Sequence, residues 1–153
     1  MMPRPLAPLL ALALSCAPRL LPGTDIRDTP DTRAIASAIE AYRRAMVSRD
    51  PQAVMKLVAP DYFDSSTADA PGGAVDRAGL RTRLEDLTKL TAFRLELSLR
   101  GLEMSKGTAQ AEVYFDQYYR VATPNGEVAR HDADAHRMTL QKLNGTWMFT
   151  SGL

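Results

Sequence analysis

One dipeptide constrains this chain more than any other feature. Asn125-Gly126 sits between two long runs of alternating residues, within Thr108 to Leu143. Asn-Gly in such a setting signals a β-hairpin, because a type I′ turn needs positive φ at both loop positions. With Asn125 and Gly126 as the loop, Tyr119 pairs with Asp132, Gln117 with Asp134, Phe115 with His136 and Val113 with Met138. Side chains alternate between faces along a strand. One face therefore carries Ala111, Val113, Phe115, Met138 and Leu140; the other carries Glu112, Tyr114, Asp116, Arg137 and Thr139. A one-residue slip would set Val113 against Arg137, so the parity of the pairing is better specified than the loop itself.

The apolar face changes character toward the turn. It continues as His136, Asp134, Asp132, Gln117 and Tyr119. Polar side chains on the core side of a sheet are costly unless they are paired or meet water. The pattern predicts a wet, concave end to the core.

The rest of the chain supplies what such a hairpin needs to fold. Hydrophobic residues make up 45% of the 153, enough for one domain with its own core. Arg4 is the only charge in residues 1–15, and the remainder carries 18 basic against 18 acidic residues. A near-neutral chain without a basic stripe is not expected to bind nucleic acid. The single cysteine excludes an internal disulfide.

Residues 1–15 read as a signal peptide: Arg4, then an apolar run from Leu6 to Leu14 too short to span a bilayer. Cys16 follows at once. The pattern resembles a bacterial lipoprotein signal, in which the cysteine is acylated. Ala17 in the next position implies outer-membrane sorting, a secreted or periplasmic protein being the alternative. Residues 16–30 hold Pro18, Pro22, Gly23 and Pro30 and are expected to form an extended tether.

Three helices are predicted next. The first runs from about Asp31 to Arg49, capped by Thr29 or Asp31, with Ile35, Ile39, Tyr42 and Met46 as one stripe. Asp50-Pro51 starts the second, and Pro60 stops it. Asp61 to Ser66 reads as a short strand, residues 67–75 as a loop, and Asp76 as the cap of a third helix reaching about Lys89. Phe93, Leu95, Leu97 and Leu99 then alternate inward until Gly101 breaks the phase, as at a β-bulge. Lys106-Gly107 and Asn144-Gly145 are further turns, the second laying Trp147 beside Lys142 and Phe149 beside Leu140.

Helices collected before a bent antiparallel meander define an α+β domain. The opening AIASAIEAYRRAMVSRDPQAVMKLVAPDYFD and the closing WMFTSGL resemble the nuclear transport factor 2-like superfamily, with its SnoaL-like and ketosteroid isomerase-like members. The resemblance covers residues 31–153. It implies a cystatin-like cone, with three N-terminal helices on a curved, mostly antiparallel sheet and one open mouth. It also implies dimerisation through the outer sheet face, where Tyr114, Tyr118, Arg120 and Arg137 fall. It implies no chemistry, because the superfamily holds isomerases, cyclases, dehydratases and binding modules.

The candidate chemistry lies in the polar end of the inner face. His136 and Asp134, two residues apart on one strand, form a candidate acid–base pair. Tyr119, Gln117, Asp132, Asp64, Tyr42, Phe115, Met138 and Trp147 are expected to line the pocket around them. Asp132, Asp134 and His136 also have ligand-type side chains, but no Cys/His cluster supports a metal, and no cofactor is expected. A structural reading needs no ligand: His136 at the core edge, paired with Asp134. The leading functional expectation is binding of a small apolar molecule or a protein partner. The alternative is an isomerase, dehydratase or lyase using the Asp/His pair.

Overall fold

The computed structural model describes residues 17–66 and 73–153. The leader, Cys16 and most of the expected 67–75 loop lie outside the described residues. Helix α1 spans Pro30–Val47 and is capped by Thr29, whose hydroxyl accepts the Thr32 N–H in a reciprocal capping box. Its inward stripe is Ile35, Ile39, Tyr42 and Ala45. Helix α2 is a short Pro51–Met55 capped by Asp50, and α3 spans Arg77–Glu85, capped by Asp76. A 3₁₀ turn over Asp86–Lys89 carries the third helical segment to its expected end.

Two short strands, β1 (Phe63–Asp64) and β2 (Val75–Asp76), pair with each other beside the helices. The main sheet is an antiparallel meander: β3 (Leu90–Ser105), β4 (Thr108–Thr123), β5 (Gly126–Leu143) and β6 (Thr146–Ser151), in that order. The register shifts between Leu99 and Gly101, so the phase break in the sequence is a bulge. Lys106-Gly107 and Asn144-Gly145 take positive φ at both residues, which suits tight turns between twisted strands. The last hairpin pairs Lys142 with Trp147 and Leu140 with Phe149, as the alternation predicts.

The central hairpin differs from expectation by two residues. Its loop is Pro124-Asn125, Thr123 pairs with Gly126, and Val113 lies opposite His136. Proline cannot take positive φ, so this loop is not the type I′ turn that Asn-Gly suggests. Gly126 alone takes the positive value, φ 115°. A two-residue slip preserves parity, so every side chain keeps its predicted face.

The segment expected to be an extended tether is folded back. Leu20 bridges Arg27, Asp28 N–H donates to the Arg19 carbonyl at 2.6 Å, and Leu21 is buried. Gly23, at φ 74°, lets the chain reverse. Among the described residues no helix is long and apolar enough to cross a membrane.

The core fills the space between α1, α2 and the concave face of the sheet, around Ile35, Val54, Val58, Leu140 and Phe149. Tyr42 and Phe149 meet at 5.8 Å between ring centroids. The exit of α2 is stitched to β6: Phe149 N–H donates to Leu57 O at 2.9 Å, and Ala59 N–H donates to Phe149 O at 2.8 Å. Asp31 fastens the start of α1 to the other end of that hairpin, accepting from Lys142 Nζ at 2.7 Å and Trp147 Nε1 at 3.1 Å.

Candidate functional site

A cavity of about 220 Å³ opens between α1 and the concave face of β3, β4 and β5. Tyr42 and Met46 line it from the helix; Leu97, Val113, Phe115, Gln117, His136 and Met138 line it from the sheet; Gly152 and Leu153 close its base. A second, outer hollow of about 670 Å³ shares Tyr42, Met46, Gln117 and Leu153 and adds Tyr119, Phe93, Arg83 and Asp86. His136 belongs to the inner cavity only. Every side chain lining the inner cavity is apolar except those of Tyr42, Gln117 and His136, and none is a carboxylate or a fixed cation.

The base of the cavity is a hydrogen-bonded clamp on the residues after β6. His136 Nε2 lies 2.9 Å from the Gly152 carbonyl oxygen. The Gly152 N–H donates to Asp64 Oδ2 at 3.1 Å. The Tyr62 hydroxyl accepts the Leu153 N–H at 3.0 Å and donates to the Leu153 carbonyl at 3.2 Å. Gly152 takes φ 86°, in the left-handed region, and packs against the Arg137 backbone. Phe115 meets the His136 ring edge-on, 6.4 Å between centroids.

The electrostatics follow from this geometry. Burial acts to raise the Asp64 carboxyl. Hydrogen bonds from Ser66 and Gly152, with the nearby His136, outweigh burial and hold it below the ordinary range. Burial pushes the Tyr62 hydroxyl up to about 12. It pushes Tyr42 up as well, with Tyr62 adding to it, so both phenols keep their protons at neutral pH. A carbonyl oxygen only accepts, so in neutral His136 the proton resides on Nε2 and Nδ1 carries the free lone pair.

Tyr42, from the α1 stripe, therefore meets Phe115, Gln117, His136 and Met138, which the alternation puts on the inner face, at the cavity. Tyr119 faces the outer hollow. Asp64 is buried behind Gly152 rather than on the cavity wall. Trp147 is buried in the core, with its indole N–H on Asp31.

Asp132 and Asp134 are corrected more strongly. Both are exposed, and Asp134 Oδ1 accepts the Ala135 N–H at 2.7 Å instead of meeting His136. The reason is length. Sixteen residues of β4 extend about 53 Å, whereas eighteen residues of α1 reach only about 27 Å. The hairpin outruns its helical cover, and its polar end meets solvent rather than a pocket. Among the described residues no three His, Cys, Asp or Glu side chains gather as metal ligands. His131 lies on the outer face, 2.9 Å from Asp116.

Gly152 and Leu153 are the site residues that alternation could not reveal. Their only signal is a glycine directly after the last strand.

No protein-family model and no curated protein matches the sequence. Solved structures do match. A candidate scytalone dehydratase from Novosphingobium aromaticivorans superimposes with a TM-score of 0.67 at 18% identity, over 80% of each chain. A candidate dehydratase of the NTF2-like family from Streptomyces avermitilis gives 0.62 at 16% identity, over 80% of this chain and 95% of that one. The chain has the nuclear transport factor 2-like fold. An uncharacterised protein from Caulobacter vibrioides with a cystatin-like fold agrees, with a TM-score of 0.61 at 23% identity over 79% of this chain and 85% of that one. At such identities the nuclear transport factor 2-like likeness concerns the cone and not the chemistry within it.

Proposed function

We propose that this protein binds a small apolar molecule in the inner cavity without transforming it. The observation that carries the reading is the lining: an apolar wall whose only polar side chains are Tyr42, Gln117 and His136, none of them a carboxylate or a fixed cation. Acid–base catalysis commonly pairs two groups of displaced proton affinity. Here Asp64, the carboxylate behind Gly152, is already occupied by Ser66 and Gly152. Native mass spectrometry of the protein purified from its own cells tests the reading. A retained small molecule that is lost in a cavity-filling Val113→Phe variant supports it; wild type and variant each appearing at the mass of the bare chain oppose it.

A second reading is an isomerase, dehydratase or lyase in which His136 moves a proton. The backing of His136 by Gly152, and the likeness to two candidate dehydratases, favour it. Turnover abolished in a folded His136→Ala variant would establish it.

The same proposal places the domain at the outer membrane through a lipid on Cys16, with the outer sheet face pairing two copies. That face carries Arg100 over Tyr114 at 5.6 Å and Arg120 over Tyr118 at 5.9 Å, residue types enriched at interfaces. The mass of the mature N-terminal peptide and light scattering on the protein test these two parts separately.

A further inference from the structure

We infer that the ligand of the inner cavity is a single-ring compound carrying one neutral hydroxyl, a monocyclic phenol, whose O–H donates to His136 Nδ1. The inference rests on the proposed reading of this cavity as a binding site.

Volume sets the size. A dry protein cavity of about 150 Å³ accommodates one benzene, and drug-sized ligands occupy pockets of roughly 300 Å³ or more. At about 220 Å³ the inner cavity is matched by one substituted ring, and a second fused ring would have to reach into the outer hollow that shares Tyr42, Met46, Gln117 and Leu153. The wall suits an aromatic face, being built of Leu97, Val113, Phe115 and Met138.

Charge sets the functional group. No side-chain carboxylate lines the inner cavity, and the Leu153 main-chain oxygen at its base already accepts from Tyr62, so an ammonium ligand would find no free carboxylate side chain there. No fixed cation lines it either, and His136 would have to take up a proton to pair with a carboxylate or phosphate. The lining therefore favours a neutral ligand.

The His136 ring sets the direction of the hydrogen bond. Nε2 is committed to the Gly152 carbonyl. That carbonyl is held in place because Gly152 N–H is tied to Asp64 and Leu153 is tied at both backbone groups to Tyr62. The neutral imidazole therefore offers the cavity an acceptor, Nδ1. A hydroxyl satisfies it; a simple ketone or ether leaves it unmet. The phenol is preferred to an aliphatic alcohol because its O–H is the stronger donor and its ring fills the apolar wall.

The test uses the full chain at a pH of about 8, where free imidazole is neutral. The probes are p-cresol, toluene and 2-naphthol, titrated with ¹⁵N detection of the His136 ring and with calorimetry. The expected result is p-cresol binding about tenfold more tightly than toluene, the worth of one good hydrogen bond. Nδ1, and not Nε2, shifts on binding p-cresol, and 2-naphthol binds more weakly than p-cresol. Equal affinity for p-cresol and toluene, or an unmoved Nδ1, overturns the hydroxyl contact and leaves the apolar binding site standing. Tighter binding of 2-naphthol overturns the single-ring limit and likewise spares the binding site. No binding of any probe overturns both. All these readouts come from the unmodified protein, so none depends on a variant that folds.

Discussion

A Cβ built on Gly152 would lie 2.2 Å from the Arg137 carbonyl oxygen and 2.8 Å from the Met138 Cα. Backbone atoms cannot yield as a flexible side chain does, and φ 86° is itself costly for any other residue. Gly152→Ala is therefore expected to destabilise the domain by about 2–4 kcal/mol, measured by urea unfolding. A loss under about 0.5 kcal/mol would mean that the clamp at the base of the cavity is not built as described.

Asp64 should make stability depend on acid. Its carboxyl titrates below the ordinary 3.8 in the folded protein. A group with a depressed folded value adds stability that is complete above its unfolded pKa and is lost as pH falls through the folded one. The melting temperature should thus fall below about pH 4, more steeply in the wild type than in Asp64→Asn. Parallel curves would remove Asp64 as the cause. At pH 7, Asp64→Asn should cost about 1–3 kcal/mol, because Gly152 N–H or Ser66 then faces a misplaced amide.

Asp31 and Lys142 form an exposed ion pair, and such pairs contribute little alone. Trp147, the only tryptophan, is buried and donates to the same carboxylate. Asp31→Ala strands that donor, whereas Lys142→Ala leaves it bonded. The melting temperature should drop clearly in the first variant and hardly in the second. Trp147 fluorescence should change only in the first. Equal effects would show that the indole hydrogen bond carries no weight.

Lys106 holds φ 38° in the turn between β3 and β4, a conformation that asparagine adopts more readily than lysine. Lys106→Asn should stabilise the protein by about 0.5 kcal/mol without touching the cavity. Thermal unfolding decides it, and a lower melting temperature would count against the turn geometry.

Alternation made the sheet legible. Phe93 to Leu99, Ala111 to Phe115 and Met138 to Leu140 lie on the face they were expected to occupy, and Gly101 marks the bulge. Caps were equally readable at Thr29, Asp50 and Asp76. What failed was distance along the strand. Parity assigns a residue to a face but says nothing about whether anything covers that face. Asp132, Asp134 and His136 share one parity, yet only His136 lies under the helices. Asn125-Gly126 on its own favours a loop one position later, but Pro124, with its fixed φ, sets the turn at Pro124-Asn125. Asp64 and Gly152 come together from 88 residues apart, and no local pattern encodes that meeting.

Among the described residues, β6 pairs with β5 only from Thr139 to Leu143 and Gly152 covers Arg137 and Met138, so Gly126 to Ala135 presents an open strand edge. Edges of this length invite another chain to add on and propagate into aggregates. Here the cone-side face of that edge carries Arg130, Asp132 and Asp134, and Asp134 already occupies the Ala135 N–H. An incoming strand would have to desolvate those charges and displace that bond. The polar end of the hairpin thus reads as a guard on solubility: neutralising Arg130, Asp132 and Asp134 would leave the fold intact and expose it to ordered self-association.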